Sequence, residues 1–158
     1  MHTLRILLAA SLATLMLPAC PASAADCKLA QMSVEGSFAR AHGVTANLGE
    51  ADNSQHPIAW QGPLRIALKD GPVCTAGVDV SIITEPLLLG ASVLYVPTYS
   101  GSDSTLYAVN IKTCRVKWKS QAYAGTTSYS AGHLILGRHP MAVPLDSRCV
   151  VKAAPSHR

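Results

Sequence analysis

Beyond Gly62 the chain is cut by Gly and Pro into apolar pieces of strand length rather than helix length. Val78 to Ile83 is rich in β-branched residues, and Leu87-Leu88-Leu89 runs into Gly90. Ser92 to Pro97 and Thr105 to Ile111 alternate or run apolar over the same length. Arg115-Val116-Lys117-Trp118-Lys119 repeats with period two. That period predicts Val116 and Trp118 on a core face and Arg115, Lys117 and Lys119 in one exposed stripe. No stretch after the N-terminal segment keeps an apolar period of 3.6 residues, so the expected fold class is all-β. Gly49 to Pro57 is polar and turn-rich and reads as a loop, and 153–158 reads as a frayed tail.

The strand pattern repeats. Leu64 to Val73, Tyr107 to Val116 and Met141 to Val150 superimpose without gaps as strand, tight polar turn, strand. Thr84 to Val96 and Ser128 to Gly137 precede the second and third copies in matching fashion. The offsets of 43 and 34 residues bracket the ~40 of a four-stranded propeller blade. Val93-Leu94-Tyr95-Val96, Leu106-Tyr107-Ala108-Val109-Asn110, Lys112-Thr113 and Val116-Lys117-Trp118 together resemble one repeat of the quinoprotein-type β-propellers. That family includes the pyrroloquinoline-quinone dehydrogenases and the propeller lipoprotein of the outer-membrane barrel-assembly machinery. The match is good over Ser92 to Lys119 and weak on either side. It departs where Cys114 stands in place of the family's turn glycine and where the third copy lacks the Trp. The resemblance implies four-stranded units, of which the chain length accommodates about two and a half to three; a closed propeller takes at least about four. A short array of this kind must be capped, cross-linked or completed by another chain. A β-sandwich is the alternative architecture.

The N-terminus changes the compartment. Met1 to Arg5 is basic, Ile6 to Leu17 is apolar apart from Ser11 and Thr14, and Ala22-Ser23-Ala24 gives a small-residue exit. This is the pattern of a secretory signal over 1–24, with the mature domain at 25–158. Leu17-Pro18-Ala19-Cys20 competes as a lipobox, which would shorten the signal to 1–19 and lipidate Cys20. Either route removes Cys20 from the thiol count, leaving Cys27, Cys74, Cys114 and Cys149. In an oxidising compartment an even set without C-x-x-C predicts two structural disulfides, with three pairings open. Cys114 and Cys149 fall one residue apart in the register of the repeat. That suits a staple between neighbouring units or two bonds to separate partners.

Composition supports one ordered domain: 49% of residues are hydrophobic and 14% charged, a balance that argues against disorder. No nucleophile elbow, phosphate-binding glycine pattern or zincin helix is present, and His42, His56, His133, His139 and Asp103 are spaced as surface residues. No catalytic residue, metal ligand or cofactor is therefore expected, and the resemblance does not bring a quinone with it. Charge is more informative. From Ser104 onward Asp146 is the only acid, against eight Lys and Arg. The expected role is non-enzymatic: an exported protein, periplasmic or tethered to the outer membrane, that binds another envelope or secreted protein. The contact would run through a β edge or through the basic face of Arg115, Lys117 and Lys119. An anionic surface and self-association are the other expected contacts, and the compartment argues against nucleic acid. A small inhibitor or immunity-type protein acting on a secreted hydrolase is the second functional expectation.

Overall fold

The computed structural model describes residues 27–152. The signal segment, Cys20 and the tail 153–158 lie outside the described residues. Within them the chain is all-β, forms three separate antiparallel sheets not closed into a barrel, and carries two disulfides.

The strands follow in the order β1 (Ala30–Gln31), β2 (Ser33–Glu35), β3 (Phe38–Ala41), β4 (Val44–Asn47), β5 (Arg65–Leu68) and β6 (Cys74–Thr75). Then come β7 (Leu88–Leu89), β8 (Val93–Ser100), β9 (Asp103–Asn110), β10 (Val116–Lys119), β11 (Thr127–Ser130), β12 (His133–Leu136) and β13 (Met141–Pro144). β2 to β6 form the first sheet, β7 to β10 the middle sheet with β1 added at the β7 edge, and β11 to β13 the third. The three segments matched in sequence begin one residue before β5, within β9 and at the start of β13. β5 and β9 each stand fourth in the order of a five-stranded sheet, and β13 stands third in its three-stranded one.

Side-chain parity explains the packing. Along β8 and β9, Leu94, Val96, Tyr107 and Val109 enter a core shared with Ala39, Ala46 and Ile66 of the first sheet. Their neighbours Val93, Tyr95, Leu106 and Ala108 enter a second core with Leu134, Leu136 and Leu145 of the third-sheet region. Because successive strand residues point to opposite faces, a continuously apolar hairpin can bury both. Each core then fixes the alternation of its outer sheet: in β12, Leu134 and Leu136 are buried while His133 and Ile135 are only half-buried.

Two expectations change, and strands also occur where the sequence signal is weak: β1 to β4 precede Gly62. Ala39 and Ala46, at 0% exposure, are small and carry little hydrophobic signal, with Val44 the larger inward residue beside them. Val78 to Ile83 is not a strand. Val80 donates its N–H to the Gly77 carbonyl at 3.1 Å in a turn, Val78 is 88% exposed, and Ile83 makes only isolated bridges, to Trp60 and Thr98. Ile82 there has φ +53°, which a β-branched residue adopts only under tertiary constraint. Lastly, β10 breaks its period of two. Val116 pairs with Val109 but Trp118 pairs with Ala108, so a bulge falls at Lys117.

The disulfides choose the second of the two arrangements, separate partners. Cys74 of β6 bonds Cys114 in the β9–β10 turn, and Cys27 ahead of β1 bonds Cys149 in the turn after β13. One ties the first sheet to the middle, the other the middle to the third. The bonds close 40 and 122 residues of chain. On chain entropy alone, replacing Cys74 and Cys114 by Ser should cost about 4 kcal/mol, and replacing Cys27 and Cys149 about 5 kcal/mol. Urea unfolding of the two double variants measures both. A larger loss from the shorter loop would show that local packing, not chain entropy, governs.

Candidate functional site

The turns that hold Cys114 and Cys149 are built alike. Asn110 accepts the N–H groups of Lys112 and Thr113 on its Oδ1, each at 3.0 Å, and Asp146 accepts those of Arg148 and Val150, each at 2.9 Å. Such side-chain acceptors curl the backbone, and the cysteines sit at the left-handed exit of each turn, with φ +54° at Cys114 and +62° at Cys149. Glycine adopts that conformation without cost. Here the disulfide occupies the position, so the cross-link and the turn are one feature. The Tyr95 hydroxyl, buried in the second core, donates to the Cys149 carbonyl at 2.8 Å, and Tyr129 donates to the Cys27 carbonyl. Burial pushes the Tyr95 phenol well above its ordinary range, so it is a neutral donor.

Between β10 and the segment ending in Val151 runs a groove of about 560 Å³. Its floor includes Val93 and Ala108, and its walls carry Lys117, Trp118, Arg148 and Val151. Leu145 and Val151 bridge across the turn, which fixes the Arg148 side of the groove. Arg148 is 82% exposed in its side chain and its Nε lies 3.5 Å from Asp146 Oδ2. No carboxylate lines the groove. An indole beside two cations suits a ligand that offers apolar contact and negative charge together.

The predicted basic stripe divides at the bulge. Arg115, Lys117 and Lys119 are all exposed. Lys119 pairs with Tyr107, its Nζ 5.3 Å from that ring's centroid, while Lys117 lines the groove with Trp118. Val116, expected in the core, is 40% exposed, and Trp118 is half-buried against the second core. Directly paired residues share a face, so the bulge reverses the parity of half the strand. Arg148 joins the groove from another sheet's turn. No spacing in the sequence announces it, although the repeat match sets it level with Cys114.

Among the described residues no group of three or more His, Cys, Asp or Glu is placed to hold a metal ion. His133 Nδ1 lies 2.9 Å from the Ala131 carbonyl, and exposed Asp103 meets the Ser102 hydroxyl at 3.5 Å. No protein-family model matches the chain, and no curated protein matches it.

Trp118→Ala should cost about 1–3 kcal/mol, less than the ~3–5 kcal/mol of emptying an enclosed aromatic site. Trp60, 2% exposed with its Nε1 donating to the Gly36 carbonyl, is the internal comparison and should reach the higher range. Equal losses in denaturant unfolding would place Trp118 in the core after all.

The Asp146 carboxyl is held below its ordinary value by the N–H of Val150 first, then by Arg148. A folded pKa below the unfolded one adds stability above the unfolded value of about 3.9 and loses it as pH falls through the folded value. The melting-temperature gap between wild type and Asp146→Asn should therefore be flat above about pH 5 and close below about pH 4. A gap that persists unchanged to about pH 2 would deny the carboxylate its role.

Proposed function

We propose that the protein is a non-enzymatic, exported binding protein of the cell envelope, periplasmic or lipid-tethered through Cys20. It captures an acidic, apolar-anchored segment of another envelope or secreted protein. The groove carries this reading: Trp118, Lys117 and Arg148 line one concave surface with no acid among its lining, Arg148 being paired with Asp146 beside it. Aromatic and Arg side chains in partly desolvated pockets contribute most to protein recognition. Two disulfides accord with an oxidising compartment. We also read the three sheets as incomplete propeller-type units. The support is their order along the chain and the recurrence of the matched segments at β5, β9 and β13, one in each sheet.

Recognition by strand addition at β10 is the weaker form of the proposal. A bulge and a row of cations on an edge strand are devices that keep edges from pairing, and β10 has both. Side chains in the groove, rather than main-chain hydrogen bonds, make the contact.

The test is a photo-crosslinking residue at exposed Ser92, which lines the groove, with one at exposed Gln55 as control, in intact envelopes. A discrete adduct should form from position 92 and not from 55. It should disappear in Lys117→Gln/Arg148→Gln and at about 1 M salt, where charges are screened within ~3 Å. No adduct, or one indifferent to both the substitutions and the salt, would overturn the reading.

A further inference from the structure

A second concave site lies on the other side of the middle sheet. A cavity of about 720 Å³ opens between the first and middle sheets, within the size range of small-molecule sites. Val44, Leu89 and Ile111 supply its depth, all buried, with half-buried Leu68 beside them. Lys28, His42, Lys69 and Asp70 line it as exposed residues.

The backbone fixes this arrangement. His42 and Gly43 take φ +44° and +76° in the tight β3–β4 turn, which holds His42 at the tip. The Lys69 amide donates to the Gly43 carbonyl at 3.0 Å, tying the Lys69 turn to that hairpin. Lys28 reaches the same cavity from the lead-in to β1, just after the Cys27 cross-link. Two lysines and one aspartate therefore line a cavity whose buried lining is apolar.

From this charge complementarity we propose that the cavity binds a free single-chain carboxylate amphiphile of the medium-chain fatty-acid class. The alkyl chain lies on Val44, Leu68, Leu89 and Ile111, and the carboxylate meets Lys28 and Lys69. Asp70 opposes the anion and limits affinity. The site is independent of the groove at Trp118, which lies on the opposite face of β8 and β9.

Calorimetric titration of the disulfide-intact protein with decanoate, kept below micelle formation, tests the proposal. Decanoate should bind at one site, at least about tenfold more tightly than decanol, the neutral chain of equal length. Lys28→Gln/Lys69→Gln should weaken decanoate about tenfold or more, and Asp70→Asn should tighten it. Ala91→Trp, which fills the exposed mouth and leaves the charges in place, should abolish binding. All four positions are exposed, so unchanged thermal unfolding should accompany each variant. Failure of decanoate to bind, equal binding of decanol, or undiminished binding by the double variant or by Ala91→Trp would overturn it.

Discussion

The β8–β9 hairpin is apolar on both faces, and the rest of the structure depends on that. Leu94, Tyr107 and Val109 must be covered from one side, Tyr95, Leu106 and Ala108 from the other. One layer against it would leave a full face of large side chains in water, at roughly 25 cal/mol for each Å² exposed. Two outer sheets answer that demand. The dependence is mutual, because Ala39, Val44, Ala46 and Ile66 of the first sheet are buried in the same core as Leu94, Tyr107 and Val109.

Cross-linking follows the same logic. The outer sheets are short, their strands at most four residues long among those described. Short strands hold few ladder hydrogen bonds, and a small domain buries a limited fraction of its surface. Each disulfide joins an outer layer to the middle one, and each uses a turn whose geometry already demands a left-handed residue. The Tyr95 hydroxyl reaches from the second core to the Cys149 carbonyl, coupling core packing to the cross-linked turn.

The two concave sites lie along the seams between layers. The groove at Trp118 borders the seam of the middle and third sheets, the Lys28–Lys69 cavity that of the first and middle. Layers that meet at curved edges leave such clefts, and loops bring charged residues to their rims. The basic C-terminal half and the mixed N-terminal half thus contribute to different sites. The two clefts therefore open on opposite faces of the central hairpin and are lined by different residues.

The sequence by itself determined the strand class, the even cysteine set and the recurrence of strand–turn–strand segments. Those depend on local periodicity and on counts, which a linear chain displays directly. It also located the exposed cations of β10, since a charged side chain seeks water wherever the strand lies. Tertiary structure alone decided the pairing Cys27–Cys149 and Cys74–Cys114, because three pairings satisfy the same spacing. It alone placed strands among the small residues before Gly62, where Ala39 and Ala46 are buried by close approach of the sheets and carry no hydrophobic signature. It turned Val78 to Ile83, β-branched though it is, into a turn that exposes Val78 and Ile82 and buries Val80 and Ile83, with Ile83 bridged to Trp60 and Thr98. The bulge at Lys117 shows the same limit at the candidate site: one extra residue reverses the facing of Val116 and Lys119. Such a bulge answers to the partner strand and the cores on either side, which local periodicity does not encode.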